Sequence, residues 1–300
     1  MTVNQIYERE RDSLLTVIEQ NFYSNSKEYN VKTIKAGSQL EVQIYELWPT
    51  GSQNKSDRKR ATRKEQESLN HKYTQQRLVR LINANFTDKD TMLTLTYDDA
   101  PTEEDAYKTI RNYILAIKRK FKDVDVKYIY CTESGEKRVH HHVMINIPDR
   151  DTLEDMWCSA SERARKRKNP NYKIKKYGRT QARRLQPDDY GLTGIAKYMS
   201  KDSKVNKKKY CCSKNLTKPT ETKTKTLKGK RITRAFVRRL AEDESFAKIE
   251  LLKLFPDCQF NDITIKQTPY TKGYYIYARL KVITDSGTEK RRKKNEVKKR

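Results

Sequence analysis

Several features are missing from this chain of 300 residues, and each absence narrows its function. No apolar run approaches the roughly 20 residues that a membrane-spanning helix needs. The first residues, Met1 to Asp12, are charged and lack the apolar core of a signal peptide. Five cysteines, at 131, 158, 211, 212 and 258, form no Cys-x-x-Cys pair. Neither a disulfide framework nor a zinc knuckle is expected, and the thiols should be reduced. There is no Walker A loop, so any helicase motor would have to come from another protein. No internal repeat is visible. Acidic side chains are in deficit, 39 against 66 lysines and arginines, which leaves a formal charge of +27. Histidine is scarce too: there are four, and three of them are consecutive.

Hydrophobic and charged residues each make up 35% of the chain, the balance of a very polar globular protein. The length suits one large domain or two modest ones. A charge of +27 opposes compaction unless an anionic partner neutralises part of it. Nucleic acid is the usual such partner, because each neutralised phosphate releases a counterion. A structural protein of the ribosomal kind would carry the same excess, so charge alone does not specify an enzyme.

Residues 1–70 read as an accessory region, with a helix over Val3–Gln20, a strand over Gln39–Leu47 and a basic run over Lys55–Lys64. Helical spacing then continues through Leu69, Tyr73, Leu78 and Ile82. Residues 91–97, TMLTLTY, alternate as a strand. Thr102 and Asp105 form a capping pattern, followed by one apolar stripe of a helix that ends near Phe121. Residues 126–132 and 139–147 read as a hairpin of two strands around an ESGEKR turn. A helix is expected over Asp151–Lys166, weak strands over 172–178 and 182–186, and a short helix from Pro187 to Asp202. This β-α-β-β-α-β order suggests an α+β fold with a central antiparallel sheet backed by helices, occupying residues 71–205. Residues 206–300 read as a basic α+β region: a loop over 218–230, a helix over 231–247, strands near 259–267 and 273–283, and a basic tail disordered when free.

Strand parity sorts the histidines. His141 shares a face with Val139, Val143, Ile145 and Ile147, so it should meet the helices. His140 and His142 share the other face, two residues apart on a rigid strand, where two imidazoles can chelate one divalent ion. Glu133, across the hairpin turn, could complete a two-His-one-carboxylate set with positions left open for water and a phosphate oxygen. Glu136, on the turn, is a weaker candidate.

Within PDDYGLTGIAKYMSKD (187–202), Leu192, Ile195, Ala196 and Met199 follow helical spacing and form a buried stripe. Tyr198 and Lys201 fall on the other side, and Gly194 leaves a gap one turn earlier. A tyrosine hydroxyl has an ordinary pKa near 10, so attack on phosphorus needs help. A metal on the scissile phosphate and a lysine beside the phenol supply it.

These residues resemble the HUH endonucleases, specifically the rolling-circle replication initiators of bacterial phages and plasmids. TLTY (94–97) looks like their first motif, His140-His141-His142 like the second, and Tyr198-Met199-Ser200-Lys201 like the third. The histidines precede the tyrosine, as in initiators; conjugative relaxases have the reverse order. His141 stands where the family usually has a hydrophobic residue, and Gly194 where some phage initiators carry a further tyrosine. The resemblance implies a ferredoxin-like palm, Mg²⁺ or Mn²⁺ as cofactor, and single-stranded or hairpin origin DNA as substrate. It further implies nicking and rejoining through a 5′-phosphotyrosine link, host helicase and polymerase as partners, and action in the cytoplasm of a bacterial host. Ligand chemistry alone leans to Mn²⁺ or Zn²⁺, since imidazole suits Mg²⁺ poorly. Two other readings remain. A DNA- or RNA-binding protein without chemistry accounts for the charge but not for the joint placement of His140, His142, Glu133 and Tyr198. A mobilisation relaxase or single-strand transposase would share the chemistry.

Overall fold

The structure is a computed structural model, described over residues 29–47, 62–133, 139–200, 210–267 and 273–283. The expected helix over Val3–Gln20, most of the basic run, Glu136, Lys201 and the basic tail lie outside the described residues. The chain divides into two compact units, one of Thr74–Lys218 and one of Met1–Tyr73 with Pro219–Arg300.

The Thr74–Lys218 unit carries β3 (Thr91–Thr96), β4 (Tyr128–Glu133), β5 (His140–Ile145), β6 (Thr180–Arg184) and β7 (Cys211–Cys212) in one antiparallel sheet, ordered β6-β3-β5-β4-β7. In chain order its first four strands lie fourth-first-third-second, the split β-α-β arrangement of a ferredoxin-like palm. The observed architecture is the α+β fold with a helix-backed antiparallel sheet that the sequence suggests.

Helix α2 (Glu103–Lys120) crosses between β3 and β4. The Thr102 hydroxyl accepts from the Asp105 amide, three acidic residues fill the first turn and three basic ones the last, all favourable to the helix dipole. Its stripe of Ala106, Ile110, Tyr113, Ile114 and Ile117 is buried against Leu93, Leu95, Val143 and Ile145. Such burial contributes about 1.5–3 kcal/mol per large apolar side chain. The opposite sheet face is covered as well. Leu78 and Ile82 of α1 (Arg63–Asn85) pack with Ile129, Met144, Leu192, Ala196 and Met199.

The expected helix over 151–166 is two helices, α3 (Arg150–Asp155) and α4 (Ala160–Lys168). The break turns Trp157 wholly inward, where its indole donates to the Thr96 carbonyl at 2.9 Å. Ser159 then caps the second helix by accepting from the Glu162 amide. Burying an indole outweighs the few helical hydrogen bonds given up. Residues 172–178 form no strand beyond an isolated bridge of Lys176 to Cys158. The helix expected from Pro187 starts only at Thr193, as α5 (Thr193–Met199), because Asp188 and Gly191 close a turn with Gly191 at φ 67°.

The other unit holds β1 (Tyr29–Ala36), β2 (Gln39–Glu46), β8 (Thr220–Thr224), β11 (Cys258–Gln267) and β12 (Tyr274–Val282), ordered β11-β12-β2-β1-β8. The segments before and after the palm thus share one antiparallel sheet. Its core face carries Val31, Val42, Ile44, Ile276 and Leu280. Against these pack α6 (Arg234–Glu242) and α7 (Glu244–Leu254). The helix expected over 231–247 is these two elements, parted at Asp243, which ends the first and caps the second by accepting from the Phe246 amide at 2.9 Å. The loop expected over 218–230 is instead β8 followed by the hairpin of β9 (Thr226–Leu227) and β10 (Lys230–Arg231). Its polarity reads as loop, yet its alternating threonines suit an exposed edge strand paired to β1.

Candidate active site

The sheet of the Thr74–Lys218 unit brings the metal candidates together through strand register. Glu133 lies directly opposite His140, and Cys131 opposite His142. Residues opposite one another share a face, so Glu133, His140 and His142 converge. His140 Nε2 is 3.0 Å from one Glu133 oxygen and His142 Nε2 3.5 Å from the other. One ligand atom from each lies within 4.8 Å of the other two.

Three observations fit a divalent cation there. The donor set is two imidazoles and a carboxylate. His142 Nε2 is buried and makes no hydrogen bond, a costly arrangement unless something else coordinates it. His142 is only 1% exposed, and burial pushes its pKa down against the opposing pull of Glu133, which favours the neutral ligand form.

The remaining nitrogen of His142 has a partner. Thr94 lies opposite His142 on β3, and its hydroxyl is 3.3 Å from Nδ1. This contact orients the ring so that Nε2 faces Glu133. Parity reveals the role, since Thr94 and His142 share a face, yet the sequence reading left it unassigned.

His141 is turned the other way, as parity predicts, and is wholly buried. Tyr97 Oη lies 2.8 Å from its Nε2 and Thr132 Oγ1 2.9 Å from its Nδ1. Trp157 and Tyr97 meet its ring edge-on. Burial, then its two histidine neighbours, lower its pKa to about 3, so it is neutral at physiological pH. Its two hydroxyl partners satisfy a polar ring in a position that the apolar surroundings would fill with an aliphatic side chain.

Tyr198 is presented from α5. Leu192, Ala196 and Met199 are buried and Ile195 is partly so, whereas Tyr198 is 55% exposed. Its ring stands 4.9 Å from that of His142, at 64°. A Cβ at Gly194, one turn earlier, would meet nothing within 4 Å, so the space beside Tyr198 is open. The fold holds α5 in place from both ends: Asn83 Oδ1 accepts from the Leu192 amide at 2.7 Å, and Gln75 donates to Ser200 Oγ at 2.9 Å. On the other side of β3, Gln181 lies opposite Thr94 and so shares the face of His142; it and Arg183 are exposed.

Residues 90–203 match the family model of the replication-associated protein ORF2. This replication-associated segment contains Thr94, Glu133, the three histidines and Tyr198, and lies within the Thr74–Lys218 unit. The match is consistent with a Rep-type replication initiator, and the His-His-Glu cluster is compatible with an HUH motif. No curated protein and no solved structure gives a significant match. Among the described residues, no helix is long and apolar enough to cross a membrane, and the cysteines are free.

Proposed function

We propose that this protein initiates rolling-circle replication by nicking single-stranded or hairpin origin DNA and rejoining it through a 5′-phosphotyrosine link. One observation carries the reading: an exposed tyrosine ring stands 4.9 Å from a buried histidine whose Nε2, free of hydrogen bonds, faces Glu133. An ordinary surface tyrosine has no reason to adjoin a two-His-one-carboxylate cluster.

His140, His142 and Glu133 would hold Mg²⁺ or Mn²⁺. A divalent cation there supplies Lewis-acid polarisation of the scissile phosphate and offsets charge in the transition state. Tyr198 Oη attacks phosphorus, and the bond from phosphorus to the 3′ oxygen breaks. The proton lost by the phenol is balanced by the one taken up at the departing 3′ oxygen. Lys201, three residues beyond Tyr198, would favour the phenolate. Thr94 keeps His142 in its ligating orientation, and Gln181 and Arg183 offer phosphate contacts beside it. One phosphodiester replaces another, so a DNA 3′ hydroxyl can reverse the step without ATP.

A labelled single-stranded oligonucleotide pool tests this directly. Cleavage should require Mn²⁺ or Mg²⁺ and stop in excess chelator or with His140→Ala/His142→Ala. Cleavage that persists in chelator would rule out the proposed chemistry.

A further inference from the structure

The unit outside the replication-associated match contains the most one-sided charge among the described elements. Between Thr222 and Ala241 there are eight lysines and arginines and no aspartate or glutamate. The structure does not leave this segment as a loose basic run. It folds into β8, the β9–β10 hairpin and α6. The hairpin turns at Lys228 and Gly229, both with positive φ (46° and 83°), the backbone of a tight two-residue connection.

The cations divide into two sets. Lys228 lies over the Phe255 ring at 4.7 Å, Lys230 over Phe236 at 4.1 Å and Arg239 over Phe246 at 4.1 Å. These three cover the core's aromatic rings. Leu227 and Lys230 are paired across the hairpin on its core side, which directs Thr226 and Arg231 to the other side. Lys223, Arg231 and Arg238 are exposed. Arg238 meets Glu242 at 2.7 Å in an exposed ion pair, a weak contact that a phosphate can displace.

We propose that the β9–β10 hairpin, with β8 and the exposed side of α6, binds the phosphate backbone of duplex DNA. A short two-stranded ribbon with outward cations fits a major groove, and an acid-poor cationic surface gains from counterion release. Single-strand platforms offer aromatic faces to the bases. Here the nearby phenylalanines are capped by cations, and no aromatic of residues 220–255 is among the exposed large hydrophobics. The surface therefore suits double-stranded DNA over single strands. This rests on the reading of the protein as a DNA-acting initiator, and gives the second unit the task of holding duplex beside an origin.

The test compares the full-length protein with Lys223→Ala/Arg231→Ala/Arg238→Ala, and with a charge-matched control, Arg119→Ala/Lys120→Ala/Lys122→Ala. Binding of a fluorescent blunt duplex and of one of its single strands is titrated across KCl. For three lost phosphate contacts, the slope of log K against log salt for duplex should fall by about 2.7 in the first variant. The control and the charge-keeping variant Lys223→Arg/Arg231→Lys/Arg238→Lys should keep the original slope. Metal-dependent cleavage of a short single strand should be unchanged in all variants. An unchanged duplex slope, an equal loss in the control, or a loss confined to single strands would overturn the proposal. If the unmodified protein cleaves no single strand while the duplex result holds, the nicking reading fails and the duplex surface stands.

Discussion

The edge of the Tyr198 ring meets that of His142 at a centroid distance of 4.9 Å, although 56 residues separate them in sequence. The contact exists because α5 buries Leu192, Ala196 and Met199 on the same sheet face that carries His142. A nucleophile candidate and a metal-ligand candidate are thereby fixed by one core. Tyr198→Phe keeps that core, so the unfolding free energy should stay within about 0.5 kcal/mol of the parent. Binding of single-stranded DNA should persist while covalent attachment vanishes. Denaturing gels of a labelled oligonucleotide check this, and an adduct of normal yield in the Phe variant would exclude Tyr198 as nucleophile.

Thr94→Val tests the orienting contact on His142. Its hydroxyl touches Nδ1 at 3.3 Å and does not itself ligate. Loss of such an outer partner typically lowers metal affinity about 10–100-fold. Mn²⁺ titration followed by electron paramagnetic resonance should show that drop, with Thr94→Ser restoring affinity. Equal affinity in Thr94→Val would mean that the contact does not orient the ring.

His141 gives a stability effect with a defined sign. Its folded pKa of about 3 lies below its unfolded value of roughly 6.5. Between those values the unfolded chain holds a proton that the folded chain refuses, so stability falls as pH falls through this window. The slope from this one group is about 1.4 kcal/mol per pH unit. Urea unfolding of metal-free protein at pH 7, 6 and 5 should show a flatter decline in His141→Val. At pH 7 that variant should lose about 1–3 kcal/mol, because the buried Thr132 and Tyr97 hydroxyls lose their shared partner. Identical pH slopes in both proteins would contradict the buried neutral histidine.

Gly178 packs where no side chain fits. A Cβ there would lie 2.5 Å from the Thr96 carbonyl oxygen, 2.7 Å from the Tyr97 Cα and 2.8 Å from the Asp98 amide nitrogen. These are backbone atoms at the end of β3, and they cannot swing aside. Gly178→Ala should cost about 1–3 kcal/mol and shift Tyr97, the partner of His141. Thermal denaturation should show a lowered midpoint; an unchanged one would argue that the β3 end is free to move.

The palm was legible because its signals are local. Period-two alternation in TMLTLTY and VHHHVMINI, and the Thr102 cap, fix strands and helix, and parity then separates His141 from its neighbours. The convergence of Glu133 with His140 was legible from the hairpin alone. Interactions between distant segments were not. The Trp157 break depends on the Thr96 carbonyl, 61 residues away in sequence, and the Gly178 contact on the same strand end. The pairing of β8 with β1 joins residues nearly 200 positions apart, and no local pattern in TETKT announces it.

The most direct measurement is a search for the covalent link itself. The protein is incubated with pooled single-stranded origin-like DNA and Mn²⁺, digested, and mapped by mass spectrometry. The expected result is a nucleotide adduct on the peptide containing Tyr198, absent in chelator and absent in His140→Ala/His142→Ala. Cleavage with no tyrosine adduct, or an adduct on a different tyrosine, would contradict the central claim.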